Sequence, residues 1–364
     1  MSDYESLDRT HMARALVLAA QGLYGTSPNP RVGCVIARGD VVLGEGYHVR
    51  AGAAHAEVAA LAAARDAGHD VRGATLHVTL EPCNHHGRTP PCVDAILAAG
   101  IGRVVAAMAD PNPEAAHGGD RLRSAGVAVD VGMLEDEARE INIGFVARMT
   151  RGTPWVRLKA ATSVDGRTAL SNGASRWITS DEARTDGHRW RARACAVLTG
   201  VGTVLSDDPQ LTVRAVETPR QPLRVVIDRH ADTPPGARIF EGAGALMVTA
   251  GARNPAWPAT AEVLALPDAD ERVDLHALMR ELGRRQVNEL HVEAGAKLNG
   301  ALLAHGLVDE ILHYMAPNVL GDPARGMFER ALPLAALEER SALAWHSVER
   351  IGPDLRLLTR VVKS

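Results

Sequence analysis

Short β-branched runs alternate with Ala- and Leu-rich runs of helical spacing along nearly the whole chain, a rhythm that few folds accommodate. HAEVAALAAAR (residues 55–65) reads as a helix and ATLHVTLEP (74–82) as a buried strand. CVDAILAAG (92–100) is a helix stopped by Gly100, and RVVAAM (103–108) is the next strand. Upstream, His11 to Leu23 reads as an amphipathic helix, SPNPRVG as a Pro-rich turn and CVIARGDVVLGEGY as a hairpin. AHGGDRLRSAGVAVDVG adds one more helix and strand. Such alternation implies a sheet covered by helices.

EDEAREINIGFVARMTRGTP reads as one helix running into a linker, which places a boundary between residues 1–150 and 151–364. From Trp155 a second αβ series opens, with strands expected at WVRLKAATSVDG, CAVLTG, LRVVID, ALMVTA and ELHVEAG. GLVDEILHYMAPNVLG and LRLLTRVVKS close that sheet. A length of 364 residues suits two or three domains, each able to bury a core.

Composition narrows the function. Forty Lys and Arg against 44 Asp and Glu give a net charge of −4, without the basic excess that a phosphate backbone demands, so no nucleic-acid partner is expected. Aromatic residues are 3% of the chain, which counts against base-stacking platforms. No run approaches the roughly 18 apolar residues that span a bilayer, so no membrane partner is expected. MSDYESLDRT lacks the features of a secretory signal, and a cytoplasmic location follows as an expectation. Four Cys are too few for a disulfide framework and point instead to metal or catalysis.

His55-Ala56-Glu57 opens a helix, Pro82-Cys83 ends a strand, and Cys92 follows after eight intervening residues. Imidazole and thiolates suit zinc, and three protein ligands leave a fourth position for water, the catalytic arrangement. Glu57 is then the proton shuttle, the general acid/base, rather than a ligand. On a regular helix His55 and Glu57 stand about 200° apart, so both face one site only near the first turn. Cys34 and Cys195 lie in apolar runs and read as core residues; His85 and His86 read as loop residues between the two Cys.

HAE followed by PC and a second Cys resembles the zinc-dependent cytidine-deaminase superfamily, with a longer interval than its usual P-C-x-x-C. SPNPRVG, GYHVRAGAAHAE and NHHGRTPP narrow the resemblance to the deaminase half of the bifunctional deaminase–reductase family of riboflavin biosynthesis, over most of residues 8–150. RLKAATSVDGRTA, SRWITSDEAR, LTGVGTVLSDDPQLTVR and HVEAGAKLNGALL resemble its reductase half over about residues 153–330. The implied fold class is α/β, an N-terminal cytidine-deaminase-like αβα domain followed by a C-terminal dihydrofolate-reductase-like αβ domain. The resemblance implies zinc on His55, Cys83 and Cys92, Glu57 as proton donor, and Asn29, His48 and Arg88 holding the pyrimidine or its ribose phosphate.

In the second half, ELHVEAGAKLNGALLAHG is a strand, a Gly-containing turn and a helix, a geometry that offers N–H groups to a pyrophosphate but lacks G-x-G-x-x-G. The resemblance implies NADPH against Ala161, Trp177, Thr203, Asp207 and the run Gly295, Ala296, Lys297, Leu298, Asn299, Gly300 and Ala301. It implies substrate against Ser175, Arg191, Leu211, Arg214 and Glu293, and Lys159 and Glu293 are candidates to lie near the reacting sugar carbon. The two Arg also suit a sugar phosphate on chemical grounds, although the run HRWRAR reads equally as a solvated helix face.

The implied reactions are hydrolytic deamination of a diaminopyrimidinone ribosylamino 5′-phosphate and reduction of its ribosyl to a ribityl chain. The expected partner is that small molecule, with a homodimer formed through the reductase half. Three other readings stay open: a zinc deaminase of another nucleobase whose second domain has lost reduction, a base deaminase that grips RNA, and a purely structural zinc with a fourth protein ligand.

Overall fold

The structure is a computed structural model that describes residues 3–85, 90–321 and 323–363. The chain divides into two compact units, Met1–Gly152 and Thr153–Ser364.

The first unit runs α1 (Asp3–Gln21), β1 (Gly33–Arg38), β2 (Val41–Tyr47), α2 (Ala56–Asp66), β3 (Thr75–Val78), α3 (Cys92–Ala98), β4 (Arg103–Ala106), α4 (Gly118–Ser124), β5 (Ala128–Val131), α5 (Glu135–Ile141) and α6 (Ile143–Arg151). Its sheet has the order β2-β1-β3-β4-β5. β1 is antiparallel to β2 and β3, whereas β3, β4 and β5 run parallel through helical crossovers. The core joins Met12, Ala15 and Leu16 of α1 to Ile36, Leu76 and Val104 of the sheet. The Ala-rich α2 sits unusually close to β2, where a Cβ on Gly46 would lie 2.5 Å from the Ala60 nitrogen.

Two helical boundaries differ from the sequence reading. Helix α1 begins at Asp3 rather than His11, and its polar first half carries two of the unit's buried polar residues. Asp8 accepts hydrogen bonds from Arg103 on β4 and pairs with His77 on β3, so these polar side chains face the sheet. The helix expected to run continuously into the linker breaks at Asn142. Its Oδ1 accepts the Arg31 N–H (2.8 Å) and its Nδ2 donates to the Arg31 carbonyl (2.9 Å), which satisfies a buried backbone at the cost of helical continuity.

The second unit comprises β6 (Trp155–Ser163), β7 (Arg167–Ala169), α7 (Asp181–Arg193), β8 (Ala196–Gly200), α8 (Val201–Asp207), β9 (Leu223–Ile227), β10 (Leu246–Thr249), β11 (Glu262–Ala265), α9 (Leu275–Arg284), β12 (Glu289–Val292), α10 (Ala296–Ala304), β13 (Glu310–Ala316), β14 (Arg325–Gly326), β15 (Leu343–Ile351) and β16 (Asp354–Val361). Among the described residues its main sheet is nine-stranded, in the order β11-β10-β9-β8-β12-β6-β13-β16-β15. The centre is parallel, and at one edge β16 lies antiparallel between β13 and β15. Strand β11 has no counterpart in the sequence reading: EVLA is short and only partly buried.

Period-2 alternation sorts β6 into two faces. Val156 and Leu158 enter a core with Leu198, Val225 and Leu290, while Arg157, Lys159 and Ala161 face the other way. His291 pairs in register with Arg157 on the neighbouring β12. Helix α7 lies over this polar face: Tyr314 of β13 donates to Asp186 of α7 (2.7 Å), and the Arg157 guanidinium lies 4.3 Å from the Trp190 ring centroid. Ser180 caps α7 by accepting the Ala183 N–H.

Candidate active sites

His55 is the N-cap of α2, with φ −71° and ψ 161°. That extended residue swings the imidazole back towards Glu57 in the first turn, which resolves the angular problem of an i, i+2 pair. Cys92 opens α3, and Cys83 follows β3 in an extended segment. The His55 Nδ1 lies 3.2 Å from Cys92 Sγ and 3.5 Å from Cys83 Sγ, and the Cys92 N–H donates to Cys83 Sγ at 3.4 Å. All three ligand atoms fall within 4.8 Å of one another, and among the described residues they form the one such cluster. One imidazole nitrogen and two sulfurs converging from three elements fit a tetrahedral zinc with one position open.

Gly118 of α4 keeps this corner in place. A Cβ there would stand 1.8 Å from the Pro82 carbonyl oxygen, so α4 presses directly on the peptide before Cys83. With two thiols so close, one sulfur gains at the other's expense: hydrogen bonds from Cys92 and His55 pull the Cys83 thiol down, whereas that same contact and burial push Cys92 up. Glu57 is 3% exposed; burial, with some help from Cys83, raises its carboxyl.

Asn29 and His48 join this site. His48 Nδ1 lies 3.0 Å from the Ala54 carbonyl, so it carries the proton there, and Nε2 then accepts from Asn29 Nδ2 at 3.1 Å. The His48 ring meets His55 edge-on, with centroids 5.4 Å apart. Burial lowers the His48 pKa. Arg88 and His86 lie outside the described residues.

Two acids escaped the sequence reading. Glu81 accepts the Asp110 and Gly119 N–H groups, and Asp110 is pushed up to about 7 by burial, with further repulsion from Glu81, Cys83 and Glu57. The run DPNP (110–113) reads only as a turn, and nothing in it signals proximity to Cys83.

In the second unit, Lys159 of β6, Glu293 after β12 and Arg191 of α7 gather above the polar face of the sheet. Arg191 grips Glu293 with Nε and Nη2, the latter at 2.8 Å, and its Nη1 donates to the Thr212 carbonyl at 3.0 Å. Arg191 is therefore neither a solvated helix face nor a free cation. Its guanidinium is already bonded to a carboxylate and a backbone carbonyl. Although burial opposes ionisation of Glu293, Arg191, His291 and Lys159 together hold it well below the usual carboxylate range. Burial, reinforced by Arg191, lowers Lys159. His188, one turn before Arg191, joins the cluster, where burial and its Arg neighbours push it down to about 4.

The remaining candidates have mixed placements. Leu211 is a core residue with φ 53°, packed among Val204, Val226 and Ile239. Arg214 reaches Gln210 and Thr212 through Nη1. Trp177 is 68% exposed and stacked by Arg184, its guanidinium 4.3 Å from the ring centroid; Ser175 is half-buried nearby in the chain. Thr203 and Asp207 lie on α8, and Ala161 packs beside Tyr314. Gly295, the N-cap of α10, and Lys297 are exposed, and Leu298 and Ala301 lean on the core. Asn299 and Gly300 are buried on the opposite side: Asn299 donates to the Met327 carbonyl, and a Cβ on Gly300 would meet the Glu329 carbonyl oxygen at 1.8 Å. The Asn299 Oδ1 is buried and has no hydrogen-bond partner among the described residues.

Residues 5–108 match the cytidine and deoxycytidylate deaminase zinc-binding region, and residues 154–357 match the RibD C-terminal domain. The riboflavin biosynthesis protein RibD of Escherichia coli K12 is 47% identical over 96% of this chain and 98% of its own length. The chain belongs to the RibD family. RibD of Aquifex aeolicus is 40% identical over 96% of this chain and 97% of its own. Among solved structures, Acinetobacter baumannii RibD superposes with a TM-score of 0.90 at 39% identity, covering 99% of this chain and 100% of that one. A Thermotoga maritima diaminohydroxyphosphoribosylaminopyrimidine deaminase/5-amino-6-(5-phosphoribosylamino)uracil reductase gives 0.90 at 35% identity, covering 99% and 100%. RibD proteins join a zinc deaminase to a reductase domain that uses NADPH, so this chain is a bifunctional enzyme of riboflavin biosynthesis acting on a small pyrimidine. No helix among the described residues is long and apolar enough to cross a membrane.

Proposed function

We propose that the first unit converts 2,5-diamino-6-ribosylamino-4(3H)-pyrimidinone 5′-phosphate to 5-amino-6-(5-phosphoribosylamino)uracil through His55, Cys83, Cys92 and Glu57. The observation that carries this is the convergence of an imidazole nitrogen and two sulfurs within 4.8 Å, on the same helix start as a buried glutamate. Zinc on those three ligands supplies the Lewis acidity that makes water a nucleophile near neutral pH. Glu57 takes a proton from that water and returns it to the departing ammonia, a role suited to a carboxyl raised by burial. Asn29, its Nδ2 engaged by His48, keeps Oδ1 to accept from the pyrimidine. Arg88 is proposed for the ribose phosphate on its charge and the family resemblance.

In the second unit, residues 153 onwards reduce the ribosyl to a ribityl group. NADPH supplies the hydride; Ala161, Trp177, Thr203, Asp207 and the α10 start from Gly295 to Ala301 are proposed to bind it. Lys159 and Glu293 are proposed to position the sugar and its protons, a reading supported by the Arg191–Glu293 pair that holds the carboxylate in line. Ser175, Arg191, Leu211 and Arg214 complete the substrate side, Arg214 as the phosphate cation. The enzyme is cytoplasmic and acts as a homodimer through the second unit. Leu343, Trp345 and Val348, all exposed on the sheet-edge strand β15, favour such pairing, and a monomer by light scattering at micromolar concentration rules it out.

The test is ammonia release and NADPH oxidation followed in one tube, with the zinc-loaded protein and the diaminopyrimidinone substrate. Both signals are expected. Glu57→Gln should cut ammonia release by about 10²-fold or more while zinc stays bound, and the deaminated compound should restore NADPH oxidation. Undiminished ammonia release by this variant removes Glu57 from the chemistry.

A further inference from the structure

Helix α7 meets the 210–214 segment at two points one turn apart. Arg191 Nη1 donates to the Thr212 carbonyl, and His188 Nδ1 accepts the Arg214 N–H at 3.2 Å. From the other side, Gln221 accepts the Val213 N–H (2.8 Å) and donates to its carbonyl (3.0 Å). Side chains therefore bind the polar backbone groups of three successive residues, and Leu211 anchors their start in the core. The segment forms no regular strand, so these contacts take the place of a ladder in fixing where Arg214 leaves the chain.

We propose that His188 is a positioning residue of the reduction: as a neutral acceptor it fixes the Arg214 backbone, and through it the guanidinium that takes the substrate's phosphate. This rests on the functional reading given above for Arg214. An acceptor at that point must be uncharged. The groups around it are Lys159, Arg191 and Arg214 with Glu293 as the nearby carboxylate, so an imidazolium would add like charge and turn the acceptor into a donor. Burial and those cations keep the ring neutral throughout the working range.

The experiment compares His188→Ala, His188→Asn and His188→Gln in steady-state NADPH oxidation. Substrates are 5-amino-6-(5-phosphoribosylamino)uracil and its phosphate-free riboside. Losing one backbone hydrogen bond should raise KM for the phosphorylated substrate about 3- to 10-fold in His188→Ala, with kcat changed less than about twofold. The riboside should show no such change. Asn, whose amide oxygen reaches the place of Nδ1, should restore KM, and Gln, which mimics Nε2, should not. Equal effects on both substrates, or Asn behaving like Ala, overturn the proposal. Should the Ala variant fail to fold, as judged by loss of the second unit's cooperative urea-unfolding transition, the Asn and Gln pair carries the comparison, and equal KM values for those two overturn it. A wild-type protein that never oxidises NADPH overturns the functional reading itself, whereas an active wild type with an unchanged His188→Ala overturns only the role of His188.

Discussion

Replacing Gly118 with Ala adds one methyl group at the point where α4 presses on the zinc corner. The new Cβ would lie 1.8 Å from the Pro82 oxygen and 3.0 Å from its carbon. Those are backbone atoms, so no side chain can rotate away; α4 and the Pro82 peptide must part by roughly an ångström or more, at an overpacking cost of about 1–3 kcal/mol. Cys83 follows in the chain, and its Sγ is held by the Cys92 N–H at 3.4 Å, so the displacement passes straight to a ligand. Metal sites tolerate errors of only about 0.2 Å in ligand position. Gly118→Ala should therefore weaken zinc binding by about tenfold or more, measured by competition with a chromophoric chelator, and ammonia release should fall with it. NADPH oxidation with the deaminated compound supplied, a reaction of the second unit, should survive. Wild-type zinc affinity and deamination in this variant would show that the Pro82–Cys83 segment moves freely and that α4 does not set the site.

Two further outcomes follow from buried charge. Arg157 is 1% exposed and pairs with both Glu289 and Glu310, so Arg157→Met leaves Glu289 with Arg193 and Glu310 with the more distant Arg360 (3.8 Å), and should destabilise the second unit by up to about 3 kcal/mol in urea unfolding; adding Glu310→Gln should recover part of that loss, and an unchanged midpoint for Arg157→Met contradicts the assignment. In the first unit, burial works against the Asp8 carboxylate, but hydrogen bonds from Arg103 and His77 outweigh it and leave its pKa lowered. A depressed carboxyl stabilises the fold above its unfolded value of about 3.9 and loses that contribution as pH falls through the folded value. Asp8→Asn should thus be less stable than wild type at pH 7, with the gap narrowing below about pH 4; a gap that stays constant with pH would mean that the pair contributes nothing to the acid limb.

The αβ rhythm and the metal motif were readable in one dimension because each depends on local order. Strand alternation at 74–82, a Gly stop at 100 and the HAE helix start are properties of neighbouring residues, and the structure places strands, turn and helix there. Even the demand that His55 and Glu57 share a first turn was local, and the N-cap geometry of His55 meets it. Helix α1 was read too short because its polar first half is buried through partners more than sixty residues away, His77 and Arg103. The break at Asn142 likewise depends on Arg31, 111 residues distant.

What the sequence alone determined is the chemistry: which residue types stand at which spacing, and hence zinc, a buried acid and two αβ domains. Tertiary structure alone decided which of those groups are free to act. Arg191 lies in a run that reads equally as a solvated helix face, and the fold pairs it with Glu293, 102 residues away. His188 reads as one more polar residue in a charged helix, but the fold brings it to the Arg214 backbone and surrounds it with cations. Asn299 and Gly300 sit in a run that suggests a phosphate loop, yet they pack against residues 327–329. The reason is physical: a side chain's charge and hydrogen-bonding capacity are intrinsic, whereas its partner, its burial and its remaining valence depend on segments that sequence spacing does not relate.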